Sequence, residues 1–394
     1  MAEQPSILPV SGVDSIFEGG PPRRLTALLR LPSPIAPNAG MRAMLAFGLA
    51  WIPLAVLVAI DIVLGRANTL YSFIEDIGVH ARYAVAVPLL VLGHVVCARR
   101  LGLIARHFQG SGLLSEEDEA RAASALDAAR RRVHSLWAEA AVLIAVYAQV
   151  ATMFVTEPAI LGQARWQVMA DGAGLSPAGW WHAVVSIPLL LALLLGWLWR
   201  IANWAWFLRS VARLDLRLIA AHPDQSGGLG FLAQSVRAFS IVGAGLGAMV
   251  AGRLAYVHRH DLAVPFTDAV LMGGVTVLML ALAVGPLLFF MRPLMQAWRQ
   301  GALRYGMLAT DMGIQFERSW FRGRHDRPML SEPDFSATTD LYQVVSNAYG
   351  MRFVPVEPRS LLMLVGATLA PFVPAMFLSM PADVVIDELK ALLF

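Results

Sequence analysis

Charged residues are scarce in this sequence. They make up 15% of its 394 residues, against 57% hydrophobic residues, whereas a soluble domain usually carries about 25% charged residues. This deficit excludes an ordinary cytosolic enzyme and a disordered protein. The formal net charge of +3 is also too small for a nucleic-acid binder that works through charge.

Cysteine and lysine are almost absent. The single cysteine, Cys97, excludes a disulfide framework and a metal site built from cysteines alone. The single lysine is Lys390, and the other 30 of the 31 basic residues are arginines. Together with abundant alanine, this bias is typical of a GC-rich bacterial genome. The sequence leaves the question of a cofactor open.

Long apolar runs take the place of the missing charge. A hydrocarbon layer about 30 Å thick needs about 20 helical residues, and in lipid a helix satisfies its own backbone hydrogen bonds. The sequence therefore predicts an all-α, polytopic membrane bundle of about seven transmembrane helices. These lie near Ala43–Leu64, Tyr83–Leu103, Leu136–Val155, Trp180–Trp199, Phe239–Val257, Thr267–Met291 and Leu361–Met380.

The arginines predict how these helices are oriented, because basic residues concentrate on the cytoplasmic side. With the N-terminus inside, 25 of the 31 basic residues fall in cytoplasmic segments and 6 fall outside. We therefore expect a bacterial inner-membrane protein with a cytoplasmic N-terminus and a periplasmic C-terminus. Residues 1–40 contain no apolar run long enough for a signal peptide.

Four parts are expected along the chain. They are a proline-rich cytoplasmic tail at 1–40, a six-span region at 41–292 with cytoplasmic loops at 104–135 and 208–237, a cytoplasmic loop at 293–358, and a seventh span with an outer interfacial helix at 359–394. Pro371 and Pro374 interrupt the hydrogen bonding of the last span. Whether it crosses the whole bilayer therefore stays open.

The first six spans form three tandem hairpins that begin roughly 100 residues apart. Pro88 and Pro188 lie at comparable depths in the second span of the first two hairpins, within the similar strings AVAVPLLVL and AVVSIPLLL. This pattern indicates an internal repeat of the kind that some transporters use. The alternative is that any two spans rich in alanine and leucine look alike.

The most distinctive string is HPDQSGGLGF at 222–231, in the predicted cytoplasmic loop before the fifth span. Its glycines permit a tight turn and would also present backbone N–H groups to an anion such as phosphate. A structural turn and a ligand site both remain open. The candidate ligand-binding residues are His222, Asp224, Gly227, Gly228 and Gly230.

Two resemblances follow from this loop. A basic helix that runs into His-Pro-Asp resembles the loop of J-domain co-chaperones, but the membrane begins too soon for the helix that follows in that family. Together with Asp334–Asp340 and the Pro371/Pro374 span, the loop resembles an uncharacterised family of bacterial multi-pass inner-membrane proteins. That resemblance implies architecture and no activity.

Histidines are concentrated on the predicted outer face. His258 and His260 would supply neighbouring metal ligands, with His182 or His80 completing the site. The alternative is a set of solvated loop histidines near the lipid headgroups.

The fifth span carries small residues at four-residue spacing, which lets two helices approach closely. Gly243, Gly247 and Gly252 form this face. It would serve either packing within one chain or a homo-oligomer interface.

Aromatic and basic residues alternate in the 293–358 segment, a pattern that suits the inner membrane surface. The set comprises Phe316, Trp320, Phe321, Arg318, Arg322, Arg324 and Arg327. Single-stranded nucleic acid would use the same chemistry, but the patch is short and close to the bilayer. We therefore expect the lipid bilayer as the partner and no nucleic acid.

Three functions remain open at this point. A transporter or channel-like role is favoured by seven spans, proline-broken helices and the repeat, although no chain of buried acids crosses the bilayer. A non-enzymatic scaffold, sensor or assembly factor would act through the cytoplasmic loops. A membrane enzyme would have to use His222 and Asp224, and it has little other support.

Overall fold

A computed structural model describes residues 39–64, 66–156, 164–169, 174–260, 266–321 and 333–379. The structure is 83% helical and has no strands within these residues. The predicted proline-rich tail before residue 39 and the interfacial helix after residue 379 lie outside the described residues. The chain is a multi-pass helical membrane protein, as the apolar composition predicted.

Seven helices are long and apolar enough to cross a membrane, which confirms the predicted fold class. Spans 1 to 7 are, in order, Ala39–Val63, Ile77–His107, Leu136–Thr156, Pro177–Val211, Gly230–Arg259, Thr267–Arg318 and Pro358–Phe377. Spans 2, 4 and 6 end where spans 1, 3, 5 and 7 begin. We name this end, which carries most of the arginines, the arginine-rich end.

Further helices lie between the spans. They are Ala67–Ile74 before span 2, Glu116–Val133 before span 3 and Pro333–Tyr349 before span 7. Span 6 continues beyond a 3₁₀ segment at Gly285–Phe290 as the long helix Met291–Phe321. Span 7 consists of Pro358–Leu369 and Phe372–Ser379, and the break falls at Pro371, which has no N–H to donate.

The helix Glu116–Val133 begins after a capping residue, Ser115. The Ser115 hydroxyl accepts a hydrogen bond from the Asp118 amide at 3.2 Å, which satisfies one of the free N–H groups of the first turn. Four acidic residues occupy that turn and three arginines occupy the last one. Both placements favour the helix dipole.

Spans 2 and 4 share an uncommon break. A π-helix at Ala81–Ala86 precedes Pro88, and another at His182–Ser186 precedes Pro188. A proline inside a helix removes one hydrogen bond and clashes with the carbonyl four residues before it, and the wider π turn accommodates both effects. The two spans therefore share a structural break as well as a similar string. The internal repeat of the first two hairpins stays a prediction.

Span 5 is the most buried of the seven spans, because 67% of the residues in its apolar stretch lie inside the protein. A Cβ atom on Gly247 would lie 1.9 Å from the carbonyl oxygen of Thr368 in span 7, and one on Gly243 would lie 2.4 Å from the Thr368 hydroxyl. On Gly252 it would lie 2.2 Å from the Cβ of Ala81 in span 2. The glycine face therefore packs within one chain. A homo-oligomer stays a prediction, and it would need a different surface.

Replacing Gly247 with alanine should destabilise the bundle, because the new methyl group overlaps backbone that cannot move without separating spans 5 and 7. Overpacking of this kind costs about 1–3 kcal/mol, so we expect a lower thermal unfolding temperature in detergent. Gly274→Ala is the matched control, because nothing lies within 4 Å of its Cβ position in span 6. Equal unfolding temperatures for the two variants would contradict the packing role.

Candidate ligand pocket at the arginine-rich end

A cavity of about 480 Å³ lies at the arginine-rich end, within the size range of small-molecule sites. It is formed where the end of span 2, the loop that follows it, the 217–231 segment and the first residues of spans 5 and 7 meet. Its polar lining is supplied by His107, Ser111, Arg217, His222, Asp224, Gln234, Arg237 and Glu357. We name it the inner pocket.

Asp224 organises the loop on one side of the inner pocket. Its Oδ1 accepts hydrogen bonds from the Ser226 amide at 2.8 Å and the Gly228 amide at 3.2 Å, and its Oδ2 accepts one from the Gly230 amide at 2.7 Å. The hydrogen bonds of this one carboxylate therefore hold the six residues after it in a compact turn. Hydrogen bonds to an ionised acceptor are the stronger kind.

The environment of Asp224 lowers its pKa. Partial burial acts in the opposite direction, but the amides of Ser226, Gly230 and Gly228, together with His222, stabilise the charged form more. The predicted anion nest therefore exists, and the chain's own carboxylate fills it. An external ligand must use other groups of the pocket.

The glycines of the loop have structural reasons for their positions. Gly227 and Gly228 have φ angles of +65° and +98°, which side chains with a Cβ rarely adopt. Gly230 needs its small size, because a Cβ there would lie 2.9 Å from the Asp224 side chain. The glycines therefore form the structural turn and also line the pocket, and ligand binding by them stays a prediction.

His222 is oriented by the same carboxylate. Its Nδ1 lies 2.8 Å from Oδ1 of Asp224 and 3.3 Å from the backbone nitrogen of the same residue. Both contacts hold the ring through Nδ1 and leave Nε2 for another partner. The side chain is 40% exposed, so a ligand in the pocket would have access to it.

Residues that are distant in the chain also hold the loop in place through hydrogen bonds. Gln225 has a φ angle of +55°, and its carbonyl accepts a hydrogen bond from the Arg352 amide at 2.6 Å. The Arg352 guanidinium donates to the side-chain oxygen of Gln225 at 3.1 Å and to the Val356 carbonyl at 3.2 Å. The segment before span 7 thereby becomes part of the loop's support.

An ion pair and hydrogen bonds stabilise the opposite wall of the pocket. Arg237 forms an ion pair with Glu357 and donates to the Ser360 hydroxyl at 2.9 Å. The backbone amide of Arg217 donates to the Leu113 carbonyl at 2.8 Å. These contacts join residues more than 100 positions apart, so no local sequence signal reveals them.

The charges of the inner pocket are unequally compensated. Asp224 is bound by backbone amides and His222, and Glu357 is bound by Arg237. Arg217 also lines the pocket, and its exposed guanidinium has no hydrogen bond or ion pair among the described residues. The pocket therefore offers a cationic group and two histidine rings to a ligand.

The predicted outer metal site is wrong for the part of the chain that the structure describes, where no group of three or more potential ligands is close enough to hold a metal. Each outer histidine is engaged elsewhere. His258 contacts Asp268 at 3.0 Å and the Leu254 carbonyl at 2.9 Å, and His260 lies 2.8 Å from the Tyr256 carbonyl.

The other two proposed metal ligands are packing residues. The Nδ1 of His80 accepts a hydrogen bond from Trp51 at 3.0 Å, and its Nε2 lies 2.9 Å from the Phe73 carbonyl. His182 is 3% exposed and packs edge-on against Tyr83. The prediction failed because residues that share one side of a membrane are not thereby near one another.

Comparison with protein-family models, curated proteins and solved structures found no match. The chemistry of the pocket is therefore inferred from its own residues.

Asp224→Asn should loosen the loop, because an amide accepts these hydrogen bonds without charge and its NH₂ group cannot accept at all. Hydrogen bonds to charged groups are worth about 1.5–3 kcal/mol, so faster hydrogen exchange is expected at the amides of Ser226, Gly228 and Gly230. Asp215→Asn is the control, because that exposed side chain has no hydrogen bond among the described residues.

Acid should have the same effect on the loop. The lowered pKa of Asp224 means that its stabilisation is complete above the pKa of the unfolded state, about 3.9, and is lost as pH falls through the lower folded value. Protection should therefore stay constant from pH 7 to 5 and fall below about pH 4. Equal exchange in Asp224→Asn and the wild type would contradict this role.

Proposed function

We propose that this chain is a bacterial inner-membrane protein that binds an anionic ligand at its cytoplasmic face and acts as a non-enzymatic sensor or assembly factor. In this proposal the arginine-rich end is cytoplasmic, following the positive-inside tendency. The inner pocket then faces the cytosol at the level where the spans leave the membrane.

The observation that carries this proposal is the convergence of polar side chains from distant parts of the chain on one pocket. His107 ends span 2, Arg217 and His222 lie in the loop after span 4, and Arg237 belongs to span 5. A pocket with a few convergent polar groups is the usual form of a ligand site. The rigid support of the loop by Asp224 and Arg352 is what a preorganised site requires.

An anion is the ligand that the charges favour. Both carboxylates of the pocket are held by groups of the chain itself, whereas Arg217 is not. A guanidinium fork binds phosphate or carboxylate oxygens in a bidentate manner, and His222 would add its Nε2 after protonation. Binding is proposed rather than catalysis, because the Asp224 carboxylate beside His222 is occupied by the amides of its own loop.

Transport is the second candidate, and one observation favours it. Spans 2 and 4 are both interrupted by a π-helix before a proline, and the rings of Tyr83 and His182 meet between them with centroids 5.6 Å apart. Transporters use interrupted helices in corresponding positions of a repeat. The Tyr83 hydroxyl and both ring nitrogens of His182 are buried without a hydrogen-bond partner among the described residues.

The orientation can be tested with reporter cysteines. Cys97 is buried and is replaced by alanine to give a background without thiols. Glu116→Cys marks the arginine-rich end and His260→Cys marks the opposite end, since both positions are exposed. A membrane-impermeant maleimide should label position 260 in cells with a permeabilised outer membrane, and position 116 only after lysis. The reverse pattern would contradict the proposed topology.

Arg217→Ala should abolish anion binding in the inner pocket, because it removes the cation that has no partner among the described residues. Inorganic phosphate and pyrophosphate serve as probes, and the measurement is the rise in unfolding temperature of the purified full chain. Arg213→Ala is the control, because Arg213 is exposed on the same segment and does not line the pocket. No stabilisation by either probe, or equal loss in both variants, would contradict the proposal.

A further inference from the structure

Span 1 carries an arginine near its first turn that is buried in the bundle. Arg42 is 8% exposed, and its Nε and Nη1 have no hydrogen-bond partner among the described residues. A buried cation without a counter-ion loses its hydration and gains nothing in exchange. Arg42 is therefore a charge for which the described residues supply no compensation.

A second buried arginine lies beside it. Arg200 of span 4 is 2% exposed and lies with its guanidinium carbon 5.8 Å from the centre of the Trp197 ring. The charges of Arg42 and Arg200 are close enough to repel each other. Placing two like charges together in a poorly hydrated environment raises the cost further.

The geometry of the two spans explains why these side chains converge. The hydroxyl of Ser186 donates to the Ala50 carbonyl at 2.8 Å, which fixes the register of span 4 against span 1. Because the spans run in opposite directions and side chains tilt toward the N-terminus of their own helix, Arg42 leans toward the arginine-rich end and Arg200 leans away from it. The two guanidinium groups therefore approach each other.

This meeting point lies at the edge of the hydrocarbon layer. Arg200 comes 23 residues after Pro177, which is about 35 Å along a helix that rises 1.5 Å per residue. Its side chain leans back toward Pro177, so its charge lies near the limit of a layer about 30 Å thick. This is the depth at which the phosphate groups of phospholipids begin.

The nearby acid does not balance both arginines. Glu139 is 7% exposed, in the first turn of span 3 at the same end of the bundle. Glu139 carries a single negative charge, which cannot neutralise two guanidinium groups. The inner pocket is separate from this cluster, because Arg42, Arg200 and Glu139 do not line it.

We propose that Arg42 and Arg200 form a binding site for the phosphate group of an anionic phospholipid of the inner leaflet. The phosphate oxygens accept hydrogen bonds from Nε and Nη1 of Arg42, and the negative charge relieves the repulsion between the arginines. The neighbouring Met41 and Met44 of span 1 are exposed, so the surface of span 1 beside the buried guanidinium group faces the bilayer. A headgroup would approach the site from that surface.

The site is independent of the proposed function, and its test uses a charge-removing variant and a matched control. Wild type, Arg42→Gln and Arg99→Gln are purified as full chains in detergent and mixed with phosphatidylglycerol or with phosphatidylcholine. Arg99 carries the same charge at the same end of the bundle but is exposed. Thermal unfolding and native mass spectrometry measure stabilisation and the number of lipids retained.

Phosphatidylglycerol should stabilise the wild type and Arg99→Gln, whereas Arg42→Gln should bind it about tenfold more weakly, corresponding to about 1.4 kcal/mol. Without lipid, Arg42→Gln should unfold at the same or a higher temperature than the wild type, because the variant lacks the uncompensated charge. This comparison separates a lost lipid site from a misfolded variant. Arg42→Lys should recover part of the binding.

Several results would overturn the lipid site. They are equal binding of phosphatidylglycerol by Arg42→Gln and the wild type, equal stabilisation by phosphatidylcholine, and full competition by millimolar inorganic phosphate. The last result would assign the site to soluble phosphate. Arg217→Ala should leave lipid binding unchanged, so failure of the inner pocket and failure of this site give different outcomes.

Discussion

The close approach of span 5 to spans 2 and 7 is the constraint on which the rest of the bundle depends. Hydrocarbon offers no hydrophobic drive for helices to associate, so contact between backbones has to supply the attraction. The glycines of span 5 provide that contact, with the Thr368 backbone against Gly247 and Ala81 against Gly252. Once these spans are in place, the ends of spans 2, 5 and 7 meet at the arginine-rich end. The inner pocket is the space between those ends.

The protein supplies hydrogen-bond and ion-pair partners to most of the charged side chains discussed above. Asp224 uses three backbone amides of its own loop, and Arg237 uses Glu357 and Ser360. These groups are fully compensated within the chain. Arg217 is exposed and can remain hydrated, whereas Arg42 is buried and cannot. This difference is why the first indicates a soluble or cytoplasmic ligand and the second indicates a lipid phosphate.

The candidate site was partly predictable. The HPDQSGGLGF string stood out because histidine, aspartate and glycine occur together where the chain must turn, and this loop does form one side of the pocket. His107, Arg217, Arg237 and Glu357 were not identified, because each is an ordinary polar residue in its local sequence. The metal site failed for a related reason. Four histidines on one side of a membrane carry no information about the distances between their rings.

The sequence by itself determined the number of spans and the positions of their interruptions, because these depend on segment length, hydropathy and the missing N–H of proline, which are local properties. The helix start that Ser115 caps and the interruptions before Pro88 and Pro188 are likewise set by the local sequence. Only the tertiary structure decided which spans the glycines contact, which carboxylate fills the amide nest and which arginine is buried without a hydrogen-bond partner for its Nε and Nη1 among the described residues. Each of these depends on contacts between residues distant in the chain, and such contacts leave no pattern in either partner's own neighbourhood.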